Sequence, residues 1–193
     1  MEMIEIRKEG LRNNKKIQKA ITTILEEIGE NPKREGLQRT PFRVAKAYEE
    51  WFGGYGKKAE DVLNRTFTQK YDSIILMKDI SFFSFCEHHI IPFYGTVDIA
   101  YIPNKYITGL DKLVKLVEIH SKRLQLQERL TEDIANDLYK ILKPKGVAVI
   151  IKAKHLCIGS RETRNQTTYT TTSTVKGIFR KTALKNELMG LLK

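Results

Sequence analysis

The sequence predicts an α+β fold, and two observations carry that prediction. Apolar residues recur at helical spacing near the N-terminus and again mid-chain, while the stretches that follow each are β-branched and aromatic. Helix-like and strand-like segments also come in pairs rather than in strict alternation, in the order ααββααββα. This pattern implies an antiparallel four-stranded sheet with a helix pair inserted between its halves, preceded by N-terminal helices. The expected organisation is an N-terminal helical region over residues 1–65 and a sheet-bearing unit over residues 66–193.

Ile17, Ile21, Ile24, Leu25 and Ile28 form the apolar face of the first helix, and Gly29 is placed to stop it. Asn31 to Leu37 reads as a polar connection. Thr40-Pro41 then predicts a helix start, with the Thr40 hydroxyl as cap and proline in the first turn. Val44, Ala45, Tyr48, Trp51 and Phe52 continue that helix to Gly53-Gly54. Ser73 to Phe85 and Ile91 to Tyr101 read as strands. Leu110, Leu113, Val114 and Val117 mark one central helix; Leu126, Leu130, Ile134, Leu138 and Ile141 mark the next, closed by Pro144-Lys145-Gly146. Val147 to Lys154 and Thr167 to Val175 supply the second strand pair, and Ala183 to Leu192 a last helix.

Composition narrows the function. A hydrophobic content of 41% with 30% charged residues describes a soluble globular chain. No apolar run approaches the roughly 18 residues of a membrane span, and Met1 to Glu5 lacks a secretory pattern. The expectation is a cytoplasmic protein with reduced thiols and no membrane partner. The net charge of +11 comes from 34 basic and 23 acidic residues. The lysines are dispersed and the aromatics are not interleaved with them, which argues against nucleic acid as a partner. A basic cleft for a small polyphosphate fits better.

The chain has two cysteines and four histidines, and all of these except His120 fall in two short clusters. One is Cys86-Glu87-His88-His89, at the turn between the first two strands; the other is His155-Leu156-Cys157. Thiolate and imidazole are zinc's preferred ligands, and a tetrahedral shell can draw them from distant segments. A Cys86–Cys157 disulfide competes with this reading, although small disulfide-built domains are far richer in cysteine. From the residues alone, His88 or His155 could add a fourth ligand and close the site. Adjacent strand residues point to opposite sides, which disfavours His88 beside His89.

The motifs resemble one family. Cys86-Glu87-His88-His89, Gly95, Tyr101-Ile102-Pro103, Gly109-Leu110-x-Lys112, Gln125 to Thr131 (Gln-Leu-Gln-Glu-Arg-Leu-Thr) and His155-x-Cys157 occur in the order found in GTP cyclohydrolase I. Upstream, Glu35-Gly36-Leu37-x-x-Thr40-Pro41-x-Arg43-Val44-Ala45 is similar to that family's N-terminal helix. The resemblance runs from about Gly29 to the C-terminus. It implies a tunnelling fold, in which sheets from several subunits close into a barrel, and a toroidal homodecamer with active sites at subunit contacts. It also implies hydrolysis of the guanine imidazole ring of GTP to formate and 7,8-dihydroneopterin triphosphate, the opening step of pterin and tetrahydrofolate synthesis.

By resemblance, Cys86, His89 and Cys157 ligate a catalytic Zn2+ whose fourth position stays open to water. The resemblance makes His155 the donor of a proton to guanine N7 and His88 the acid–base group of the later ribose-opening steps. Glu87 is expected to orient a ligand imidazole. Glu128 reads the N1–H and 2-amino edge of guanine, because a carboxylate accepts two parallel N–H bonds, and Gln127 helps position the base. Lys112, Lys115, Arg161 and, from a neighbouring subunit, Lys46 contact the triphosphate. The chain departs from the family in carrying Asp111 where serine is usual, Lys115 for arginine, and Glu162 after Arg161 where glycine is usual. Those departures keep two alternatives open: a divergent paralogue acting on a less phosphorylated purine, and a non-catalytic basic binding module held together by zinc.

Overall fold

The computed structural model describes residues 14–64, 66–161 and 167–193. It divides into two compact units, Met1–Gly56 and Lys57–Lys193. In the first unit, α1 (Asn14–Glu27) packs on α2 (Thr40–Trp51). Gly29, at φ +88°, takes the left-handed conformation that ends α1, as its position predicts. Thr40 does not cap α2. It already lies in the first turn, Arg39 is the capping residue without a side-chain bond, and proline follows in the same turn. Tyr48 and Phe52, one turn apart, meet edge to face at 5.2 Å.

The second unit is α+β. It contains α3 (Ala59–Val62), β1 (Thr66–Thr68), β2 (Ile75–Cys86), β3 (Ile91–Ile102), β4 (Tyr106–Thr108), α4 (Leu110–Ser121), β5 (Leu124–Gln125), α5 (Gln127–Leu142), β6 (Gly146–His155), α6 (Leu156–Gly159), β7 (Thr170–Gly177) and α7 (Thr182–Leu192). Strands β2, β3, β6 and β7 are the expected antiparallel set, with the α4–α5 pair between its halves. Sequence reading missed the short elements. These are the β1–β4 ribbon, the single-turn helices and β5, which pairs parallel to the end of β2 and makes the sheet order β5-β2-β3-β6-β7. Strands of two or three residues leave no periodicity to read.

Two boundaries also move. Gly146 opens β6 rather than closing α5, whose helix ends instead on Lys143 at φ +47°. The Thr-rich strand begins at Thr170.

Period-two alternation sends Phe82, Phe93, Val97, Ile99, Val149 and Ile151 to one face, where they pack under Leu113, Leu116, Leu130, Ile134 and Leu138 of the helix pair. On the other face Ala100, Ile102 and Ala148 lie beneath Phe179 and Leu188. Gly95 sits opposite Ala153, and a Cβ there would lie 1.9 Å from the Lys152 carbonyl oxygen. Only glycine allows β3 and β6 to approach this closely, and two residues along that register Phe93 faces His155.

Candidate active site

One end of the sheet gathers both clusters. Cys86 is the last residue of β2, and Glu87–Ile90 form the turn into β3. The Ile90 N–H bonds back to the Cys86 carbonyl at 2.9 Å, and the Glu87 N–H bonds to the Gln125 carbonyl of β5 at 3.1 Å. The turn is thus tied both to its own strand and to the approach to α5. His155 ends β6, and Cys157 lies on the one-turn α6 that follows.

Donor atoms of Cys86, His89 and Cys157 all lie within 4.8 Å of one another. Cys86 is buried, Cys157 half-buried and His89 exposed, so the group opens outward on its imidazole side. Both cysteines are free thiols in this structure. Burial and the neighbouring Cys86 sulfur push the Cys157 thiol up, against the pull of Arg161. A cation among these donors would reverse that shift, since coordinating thiols are deprotonated. Two thiols and an imidazole at this separation fit a metal of zinc's preferences. His88 lies in the turn rather than on a strand, with Nδ1 3.8 Å from the Cys86 sulfur, and is not part of the donor group.

His155 stacks on Phe93, with ring centres 4.8 Å apart and planes 3° from parallel. Its Nε2 meets Gln127 Oε1 at 2.7 Å. Burial lowers the imidazole's affinity for a proton, and the Glu128 charge partly restores it. Glu128 itself is exposed in the first turn of α5, directly after the buried Gln127. Glu87 accepts two bonds from Arg129, at 2.6 and 3.0 Å, which hold its carboxyl below the usual carboxylate range.

The charged residues are looser. The Arg161 guanidinium donates to His89 Nε2 at 2.7 Å. Asp111 pairs with Lys112 at 3.3 Å and Lys115 at 3.5 Å, and the Lys112 bond, foremost, holds its carboxyl below the usual range. Glu162 and Arg164 lie outside the described residues. Lys46 is exposed on α2 of the first unit, lining a hollow with Phe42, Arg43 and Glu50. Sequence reasoning gave no role to Arg129, Phe93 or Thr172. Of these, Arg129 stands in the Gln125 to Thr131 motif, whereas the other two are signalled only by register.

The family model for GTP cyclohydrolase I matches residues 17–193. The chain belongs to the GTP cyclohydrolase I family. It is 49% identical over 179 residues to "GTP cyclohydrolase 1" of Desulforamulus reducens, covering 92% of this chain and 96% of that relative. The protein of the same name from Pelotomaculum thermopropionicum is 48% identical over 180 residues, with 92% and 96% covered. That of Streptomyces coelicolor is 45% identical over 185 residues, with 95% and 92% covered. Family membership accounts for the two Cys/His clusters, which a fold of this class does not itself require. Among the described residues no helix is long and apolar enough to cross a membrane.

Proposed function

We propose that this chain hydrolyses the imidazole ring of GTP to formate and 7,8-dihydroneopterin triphosphate, with Zn2+ held by Cys86, His89 and Cys157. The observation that carries the metal assignment is the convergence of those donors within 4.8 Å, from segments far apart in sequence. Those three side chains would hold the ion, which would supply Lewis acidity and lower the pKa of water at its open position.

The protein's own groups do the rest. His155 gives a proton to guanine N7, which makes C8 electrophilic. Its burial weakens its hold on that proton, so the transfer is driven toward the base. His88, exposed at the tip of the turn, serves the later proton transfers at the ribose. Glu128 accepts from N1–H and the 2-amino group, a pattern adenine does not offer. Glu87 acts through its pairing with Arg129, which fixes the turn bearing His88 and His89. Lys112, Lys115, Arg161 and Lys46 of a neighbouring subunit bind the triphosphate. The chain assembles as a tunnelling-fold homodecamer in the cytoplasm and feeds pterin synthesis. Strand β7 stands at the edge of the sheet, and closure with neighbouring subunits would cover it.

The test is direct. Purified protein incubated with GTP should yield a product that becomes fluorescent on oxidation, as pterins do, with formate released in equal amount. Zinc analysis should find about one ion per chain. Absence of the pterin from zinc-loaded protein would refute the assignment.

A further inference from the structure

Among the described residues Gln127 is one of the few buried polar side chains, 2% exposed at the start of α5. Its Nε2 lies 3.0 Å from the Ile151 carbonyl, 3.1 Å from the Thr170 carbonyl and 3.1 Å from Thr172 Oγ1. Two of these acceptors are carbonyl oxygens and can do nothing but accept.

The third is fixed by its neighbours. Thr131 Oγ1 donates to the Gln127 carbonyl at 2.7 Å, which uses its only proton. The 2.6 Å contact between the Thr131 and Thr172 hydroxyls must then run from Thr172 to Thr131, leaving Thr172 lone pairs to face the amide. Three acceptors therefore surround one end of the Gln127 amide. Reversing the amide would set its oxygen against all of them, so Nε2 faces β6 and β7 and Oε1 faces His155.

A carbonyl oxygen only accepts, so the contact at 2.7 Å requires a proton on His155 Nε2. We infer that Gln127 is a positioning residue that holds His155 in the tautomer protonated at Nε2, and so assigns Nδ1 as the nitrogen that exchanges a proton with substrate. Phe93 fixes the plane of the ring and Gln127 fixes its rotation within that plane. This role differs from contact with the base, because the Gln127 amide is engaged by the protein itself. It rests on the proton-donor role of His155 proposed above.

The test compares Gln127→Leu and Thr172→Val, both close in shape to the native residue, with His155→Ala. Each is scored for zinc content, thermal midpoint, kcat and KM for GTP. Gln127→Leu should lower kcat by about 10- to 100-fold, the usual cost of removing a group that orients a functional imidazole. KM should stay within about two-fold and zinc content should be unchanged. Thr172→Val, which touches His155 only through Gln127, should lower kcat in the same direction by less. In the His155→Ala background, Gln127→Leu should add no further loss.

A rise in KM at constant kcat would overturn the inference in favour of base contact. Equal fractional losses in both backgrounds, or losses that track zinc or folded protein, would overturn it in favour of a purely structural role. If His155→Ala itself keeps full turnover, the proton-donor reading fails. If only Gln127→Leu keeps it, the inference alone fails.

Discussion

Two regions of the molecule are built on opposite principles. Cys86 is buried at the end of β2, and the half-buried His155 is placed by strand register, a stacked ring and a buried amide. Around Asp111, Lys112 and Lys115, long side chains are held by ion pairs on the first turns of α4. Pairs of this exposed kind typically contribute 0 to about 1 kcal/mol, so they are easily rearranged by a charged ligand. Side chains fixed by packing suit the proton transfers proposed for His155, whereas side chains held by exposed ion pairs suit the adjustable phosphate contacts proposed for Lys112 and Lys115.

The strongest way to break that contrast is at the metal. Cys157→Ala should lose most bound zinc and bring turnover to background, measured by metal analysis beside the fluorescence assay. Full zinc with normal activity would show that the rigid half is not the catalytic one. Next, His155→Ala and His88→Ala should keep zinc yet lose about 10²- to 10⁴-fold in kcat, the range of general acid–base catalysis. Unchanged rates in both would remove their roles.

Glu128→Gln follows. An amide oxygen replaces one carboxylate oxygen, while the other becomes a donor facing a donor. GTP affinity should fall by about 10- to 100-fold, as expected for a lost charged hydrogen bond, read as KM and by competition with GMP.

The smallest effect belongs to the loose half. With Lys112 and Lys115 in their proposed triphosphate roles, Asp111 would compete with phosphate for both, so Asp111→Ser should lower KM for GTP by about two- to five-fold, the scale of an exposed ion pair. The gain should shrink with added salt. Because its lysine partners depress the Asp111 pKa, the carboxylate stays ionised throughout the neutral range. It becomes neutral only as pH falls through that lowered value, so the gain should be flat with pH near neutrality. Tighter use of GMP than GTP by the unmodified chain would instead favour the paralogue acting on fewer phosphates.

Legibility in the sequence divided along the same line. Long periodic segments gave the four main strands and the helix pair, and the two clusters gave three donors, Cys86, His89 and Cys157, that the fold brings together, because local pattern and chemistry coincide there. The Thr40 cap misled because its polar type suits a cap equally well whether the helix starts at or before it. What stayed hidden was pairing across the chain: Gln127 with Thr172 and Arg129 with Glu87 join residues 45 and 42 positions apart. Glutamine, threonine and arginine carry no mark of their partners until the register of β6 and β7 is known. The surface ion pairs around Asp111 are local, but many arrangements of such charges differ little in energy, so the sequence does not select one.

Ile90 closes the turn that carries His89 at φ +55°, a conformation that a β-branched residue enters at a cost of order 1–3 kcal/mol. The turn keeps it there because the Ile90 and Glu87 amides are both held and β2 and β3 clamp either side. Opening that hairpin tip relieves the strain, whereas the long β3–β6 ladder has none to release. Amide exchange should therefore begin at Glu87–Ile90 while the rest of the sheet remains protected, and loading the site with metal should slow it there first.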